Sequence, residues 1–204
     1  MRLAVLLSGR GSNFLAIHDA IANGALDAEI VCVISNRPGA PGLVRARELG
    51  LPAYEIDHKA YQSRLDHEYA VQDVLRDARP DFIILAGYMR LLSFSFVDEW
   101  RNRILNIHPS LLPSFPGVDA QKQALDYGVK VTGCTVHFVD ENLDAGPILV
   151  QRAVEVRDGD TVESLSARIL EQEHVAYVEA LRLLSTRSWR MDGRRVIFEL
   201  PVTG

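Results

Sequence analysis

The sequence predicts an open α/β fold, with a mainly parallel sheet in the N-terminal half and an antiparallel extension in the C-terminal half. Three observations carry this reading. Short, continuous apolar runs alternate with amphipathic stretches over residues 3–107, the pattern of strands buried on both faces and joined by helices. Two longer, β-branched runs at residues 131–139 and 148–156 are joined by the loop DENLDAGP, which predicts antiparallel pairing. Asp192-Gly193, between two further apolar-rich pieces, is a strong short hairpin signal.

Taken in order, residues 3–7 (LAVLL) predict the first strand, too short and too apolar for a half-exposed one. Residues 12–23 predict a helix capped by Ser12 or Gly11, with Leu15, Ile17, Ala20 and Ile21 as its apolar positions. A second strand follows at 30–34, a helix at 41–49 ended by Gly50, and a short third strand at 53–56. Residues 61–78 predict a longer helix stopped before Pro80. The fourth strand is placed at 82–86 and the fifth at 103–107, after a helix around 95–100. Beyond it, residues 119–127 predict a helix ended by Gly128. The antiparallel pair comes next, then a long helix at 161–184 with Thr161 and Ser164 as alternative N-caps, and a hairpin over 189–200. No repeat, low-complexity tract or linker cuts the chain. The expectation is one Rossmann-like domain over 1–204, with halves of about 1–100 and 101–204.

Composition narrows the function class. At 204 residues, 48% hydrophobic and 24% charged, the chain buries roughly 70% of its unfolded surface on folding. Its net charge is −5, from 22 basic and 27 acidic side chains, with no Lys/Arg block. That argues against nucleic acid as a partner. Cys32 and Cys134 both sit in apolar runs and read as core thiols of a reducing compartment. Without CxxC or paired histidines, no metal is expected. The apolar run at 3–7 falls short of the roughly seven to fifteen residues of a signal peptide. No run approaches the roughly eighteen of a membrane span. The expected location is the cytoplasm, away from membranes.

Ligands of open α/β sheets bind at the carboxyl ends of the strands, so the loops there hold the chemistry. SGRGSN, residues 8–13, turns sharply at Gly9 and Gly11 into a helix N-terminus, where free N–H groups attract anions. A dinucleotide fingerprint is excluded, because Phe14 stands where the third glycine belongs and Ser35-Asn36-Arg37-Pro38 lacks the acid. What remains is either a plain tight turn or a phosphate site at Gly11, Ser12 and Asn13. AGYMRLLS, residues 86–93, places Met89, Leu91 and Leu92 where a surface loop is ordinarily polar. Those side chains pack a helix start or receive a flat, partly apolar ligand. In NIHPSLLPSFPG, Asn106 and His108 stand at i and i+2 on one strand face. A lone histidine there is ordinarily structural. An amide donor beside an imidazole, at a strand end stiffened by prolines, instead suits a developing oxyanion. DENLDAGP offers Asp140, Glu141 and Asp144. One of them beside His108 would favour the imidazolium, and the small residues after Asp144 make it the best placed.

These blocks, SGRGSN, LAGYMRLLS, ILNIHPSLLPSFPG and GCTVHFVDENLDAGPIL, with RILEQEHVAYVEAL further on, resemble the phosphoribosylglycinamide formyltransferases, within the folate-dependent formyltransferase family. The likeness runs from about residue 1 to residue 185. It implies transfer of a formyl group from 10-formyltetrahydrofolate, a co-substrate, to the amine of glycinamide ribotide in purine biosynthesis. It implies a catalytic set of Asn106, His108 and Asp144. Gly11, Ser12 and Asn13 would hold the ribotide phosphate, and Glu173 would contact the ribotide. The folate would lie along Met89, Arg90, Leu91 and Leu92, near Arg64, and along Val139, Asp140, Glu141, Asn142, Leu143 and Asp144, with Asn106 beside it. The N-terminal half would thus bind phosphate, and the C-terminal half would hold the folate and the chemistry. The partners are small molecules, and the assembly is a monomer or a homodimer.

Within the same chemistry, a methionyl-tRNA formyltransferase would add an RNA-binding domain and a basic surface. A formyltetrahydrofolate deformylase would add an N-terminal regulatory module, whereas the first strand here begins at residue 3. A sugar-nucleotide formyltransferase would need a nucleotide-sugar site that SGRGSN does not supply. A nucleotide-sensing binding module would use the phosphate loop without catalysis, and would have no use for Asn106, His108 and Asp144 together.

Overall fold

A computed structural model of the chain describes residues 1–199. The chain forms two compact units, Met1–Asn106 and Ile107–Gly204.

The first unit is built on β1 (Arg2–Leu7), β2 (Glu29–Ser35), β3 (Ala53–Glu55), β4 (Phe82–Leu85) and the start of β5 (Ile104–His108). All pairings among them are parallel: β1 with β2 and β4, β2 with β3, and β4 with β5. Leu3, Ala4, Val5, Leu6 and Leu7 of the central strand are wholly buried, which is why that run is apolar at every position rather than at alternate ones. Four helices complete the unit: α1 (Ser12–Ala22), α2 (Pro41–Glu48), α3 (Arg64–Ala78) and α4 (Phe94–Glu99). They bury Phe14 and Ile17, Leu43 and Ala46, Val71 and Leu75, and Phe96, side chains spaced three or four apart on their helices.

Most element ends lie a residue or two from the prediction, and two of the shifts bear on the loops. α3 starts at Arg64 rather than 61, because Ser63 caps it and its hydroxyl accepts the Asp66 N–H at 3.1 Å. A separate 3-10 turn, His58–Ala60, precedes it. β5 runs one residue further than predicted and takes His108 into the strand. At α1, Gly11 is the capping residue, with φ of 68° and no side-chain cap.

The second unit holds β6 (Val131–Phe138) and β7 (Ile148–Glu155), paired antiparallel as expected, and the hairpin β8 (Trp189–Asp192) and β9 (Arg195–Phe198). β9 pairs with β7 in parallel at Ile148 and Arg195. Leu200, the expected end of the hairpin, lies outside the described residues. Its helices are α5 (Ala120–Tyr127) and α6 (Val162–Thr186). Leu165, Ile169, Ala176, Tyr177, Ala180 and Leu181 are wholly buried along one face of α6. Thr161 and Ser164 are not alternative caps. Each hydroxyl accepts the other's backbone N–H, at 3.2 and 2.9 Å, in a reciprocal capping box. Among the described residues no helix is long and apolar enough to cross a membrane.

Two glycines of this unit have no room for a side chain. A Cβ on Gly133 would fall 1.9 Å from the Arg152 carbonyl oxygen across the β6–β7 ladder, and one on Gly146 would fall 1.8 Å from that of Phe138. At Gly159, by contrast, a Cβ meets nothing within 4 Å. Gly133→Ala is therefore expected to lower the unfolding free energy by at least ~1–3 kcal/mol, read by denaturant titration, with Gly159→Ala close to the parent protein. Equal stability of the two variants would contradict the close approach.

Candidate active site

In the second unit, three chain segments converge on one carboxylate. His108 ends β5, and its side chain is 6% exposed. Asp144 sits in the loop of residues 139–147, with φ of 50° and a side chain 8% exposed. The His108 Nδ1 lies 3.4 Å from Asp144 Oδ2. That same oxygen accepts the Gly117 N–H at 2.8 Å, so the turn after the strand holds the carboxylate in place. The other ring nitrogen of His108, Nε2, donates to the Phe115 carbonyl at 2.8 Å. Both ring nitrogens therefore face oxygens, and every proton the ring carries has a destination. The contact at Nε2 is the tighter one, which leaves Nδ1, between ring and carboxylate, as the nitrogen able to exchange partners.

The loop chemistry follows from its ends. Phe138 N–H donates to the Pro147 carbonyl at 2.8 Å, and Gly146 passes against the Phe138 carbonyl where no other residue fits. Of the three carboxylates in DENLDAGP, this closure brings Asp144 inward. Asp140 accepts the Asn142 N–H at 2.9 Å within its own loop, and Glu141 and Leu143 are exposed. The turn of residues 109–113 is fastened from β6. Thr135 Oγ1 donates to the Ser110 carbonyl at 2.7 Å and accepts the Leu112 N–H at 3.0 Å. Gln151 Nε2 donates to the Leu112 carbonyl at 2.8 Å.

One member of this cluster escapes the sequence reading. His137 is buried at the end of β6, with Nε2 3.9 Å from the second Asp144 oxygen and Nδ1 donating to the Phe138 carbonyl at 2.9 Å. Its signal is the one that marks Asn106 and His108: a polar side chain in an apolar strand, here TVHFV. Glu173, on α6, is buried too. Burial first, and the Glu173 carboxylate second, push the Cys134 thiol up to about 12, so Cys134 is no nucleophile at neutral pH.

The first unit carries the remaining expected residues. Asn106, half-buried, closes it on β5, in register with Leu85 of β4. The loop at residues 8–13 is pinned from behind by α2. The Gly42 N–H donates to the Gly9 carbonyl at 3.0 Å, and a Cβ on Gly42 would come within 3.1 Å of the carbonyl oxygens of both Gly9 and Arg10. Gly42 is thus a second residue the sequence reading misses. Its only signal is the Pro41-Gly42 pair at a helix start. Ser12 and Asn13 open α1 behind Gly11, so their N–H groups belong to the turn that has no intrahelical acceptor. Ser8 joins this loop to the next. Its hydroxyl donates to Asn36 Oδ1 and accepts the Met89 N–H at 2.8 Å.

In that next loop Met89 and Leu91 are 70% and 64% exposed, while Arg90 and Leu92 are half-buried. The loop ends at Ser93, whose N–H and hydroxyl both donate to the buried Glu68 carboxylate. Arg64 Nε lies 3.8 Å from that carboxylate, which is how Arg64 comes to the loop. Burial pushes the Tyr88 phenol up, against the opposing charge of Arg90. Among the described residues no three His, Cys, Asp or Glu side chains are grouped to hold a metal ion.

The chain is similar to known proteins over most of its length. The family model described as formyl transferase matches residues 1–181. The chain is 51% identical over 191 residues to a trifunctional purine biosynthetic protein adenosine-3 of Drosophila pseudoobscura pseudoobscura, covering 93% of this chain but 14% of that relative. It is 40% identical over 183 residues to a phosphoribosylglycinamide formyltransferase of Bacillus subtilis, covering 90% of this chain and 94% of that one. Among solved structures, a glycinamide ribonucleotide transformylase 1 of Symbiobacterium toebii superposes with a TM-score of 0.94 at 49% identity, covering 97% of this chain and 93% of that one.

The burial of His137 yields a pH dependence. Desolvation lowers its pKa from the ordinary 6.5, with the His108 ring adding to the effect and the Phe138 carbonyl and Asp144 opposing it. The unfolded chain takes up this proton near 6.5 and the folded chain only at lower pH. Below that value the unfolded state binds more protons, so stability is full above about 6.5 and falls as pH drops beneath it. Titration of the His137 ring protons by NMR should give a midpoint under 6.5. A midpoint at or above it would contradict the buried placement.

Proposed function

The chain belongs to the formyl transferase family, and from that premise we propose that it transfers the formyl group of 10-formyltetrahydrofolate to the amine of 5-phosphoribosylglycinamide, a step of de novo purine (IMP) biosynthesis. The observation that carries the proposal is the buried His108–Asp144 pair, clamped by Gly117 and Phe115. The names of the relatives support the ribotide as the acceptor, and the family supports the folate as the donor.

In this reading the ribotide amine attacks the formyl carbon, forming the new N–C bond, and the carbonyl oxygen takes up negative charge. Asn106 donates its amide N–H to that oxygen, and His108 donates from Nδ1, the ring nitrogen with the looser contact. Asp144 orients the ring and receives the Nδ1 proton's attraction between turnovers. When the C–N10 bond breaks, the proton lost by the attacking amine ends on N10, passed by His108 and Asp144. Charge and atoms balance without an added reagent. Preorganised donors of this kind act on charge that develops only in the transition state.

The binding residues fit their assigned groups chemically. The N–H groups at the start of α1, with Gly11, Ser12 and Asn13, suit the ribotide phosphate. Glu173 suits a hydroxyl or amine of the ribotide. Met89 and Leu91, apolar yet more than half exposed, suit the flat face of the folate, with Arg90, Leu92 and Arg64 around it. Asp140, Glu141, Asn142 and Leu143 complete the folate side. The protein then acts on small molecules alone, as a monomer or homodimer. The two free, buried cysteines accord with the cytoplasm.

Asn106→Ala, His108→Ala and Asp144→Asn should each lower turnover by about 10²–10³ while the circular dichroism spectrum stays that of the parent. Turnover is followed by the ultraviolet change as the folate loses its formyl group, with and without the ribotide. Near-parental turnover in the variants would refute these roles. Formyl loss without ribotide would indicate a deformylase, and no loss under either condition would indicate a binding module.

A further inference from the structure

The hairpin of β8 and β9 lies past residue 181, where the match to the family model ends, and no role attaches to it in the reading above. It meets the 139–147 loop once and the residues flanking it twice. The Trp189 ring packs on Phe138, the last residue of β6, with centroids 5.3 Å apart and planes at 30°. Arg195 pairs with Ile148, the first residue of β7. At the hairpin tip, just after Gly193 with its φ of 59°, the Arg194 guanidinium donates to the Ala145 carbonyl. The hairpin thus holds both ends of the loop and one point between them.

That point adjoins the functional carboxylate. Asp144 is tied from one side by the Gly117 N–H, and its neighbour Ala145 is tied from the other by Arg194. We infer that the C-terminal hairpin braces the Asp144 loop, and that Arg194 is a positioning residue that sets the Asp144 carboxylate against His108 by fixing the adjoining peptide. A hairpin that merely covered the edge of β7 would need its apolar side chains and its backbone, but no cation at the tip reaching back to a loop carbonyl. Arginine suits the task, since a charge-assisted bond to a carbonyl outlasts a neutral one and the donor stays charged at every working pH.

The kinetic consequence rests on the formyl-transfer reading; the structural one does not. Arg194→Ala in the full chain should speed backbone hydrogen exchange of residues 140–147 by about three- to tenfold, the loss of one such bond, with exchange in α6 and the melting temperature unchanged. In the formyl-transfer assay, kcat should fall and KM for 10-formyltetrahydrofolate rise by a similar factor, while KM for the ribotide stays put. Arg194→Lys, which keeps a cationic donor, should recover most of both effects. Parental exchange of the loop in Arg194→Ala would overturn the inference. So would a loss spread over the whole unit with a lower melting temperature and an equal rise in both KM values, which marks a general structural role. If the parent protein transfers no formyl group but Arg194→Ala still frees the loop, the brace stands and the catalytic reading falls.

Discussion

A carboxylate and an imidazole taken out of water must find partners, and the second unit is organised around that demand. An unpaired buried charge costs far more than a missing contact between exposed groups. Here the Asp144 carboxylate has the Gly117 N–H on one oxygen and two imidazoles within 4 Å, while the second nitrogen of His108 is spent on Phe115. Each of these partners makes its own demand. Phe115 and Gly117 follow the turn of residues 109–113, which Thr135 and Gln151 fasten from the strands behind. The loop carrying Asp144 has to double back on β6, and only a residue without a side chain lets it do so at Gly146. The antiparallel pair is then the frame on which this carboxylate and its imidazole are hung.

The first unit solves a related problem with neutral groups. Its loops follow wholly buried strands and must leave the core without stranding backbone N–H groups. Ser8 and Asn36 link the end of β1 to Met89, and Glu68 takes up the chain again at Ser93. Between these anchors the loop is free to turn apolar side chains outward. Exposed Met89 and Leu91 are therefore not a failure of packing. A loop tied at both ends by buried polar groups can tolerate apolar exposure that a slack one would collapse to hide.

Much of this was readable from the chain because burial writes itself into residue choice. Five apolar residues in a row, ended by a glycine-rich turn, read as a strand covered on both faces, and Asn106 and His108 stand out as polar residues at the end of another such run. Where chemistry was ambiguous, distance decided. Three carboxylates in one loop are equivalent by type, and only the path of the backbone turns Asp144 inward. His137 carries a signal of the same kind as His108, a polar side chain in an apolar strand with another polar residue, Thr135, two positions before it. Gly42 was illegible for a deeper reason: its importance lies in what it does not occupy, and a close approach between α2 and the 8–13 loop leaves no trace in composition. The hairpin tip, similarly, is an ordinary Asp-Gly turn until its Arg194 is seen against Ala145.

The backbone of Asp144 lies in the left-handed region, at φ of 50°. Apart from glycine, that conformation is entered readily only by aspartate and asparagine, whose short polar side chains bond locally. Two unrelated filters thus act on a single position. The turn favours three amino acids on grounds of shape, and the proposed chemistry keeps the one of those three that carries charge. A longer acid would bring the same carboxylate with the wrong backbone, and asparagine the right backbone with an amide in its place. Under the proposed reaction the fold and the chemistry choose the same residue independently, so neither has to compromise for the other.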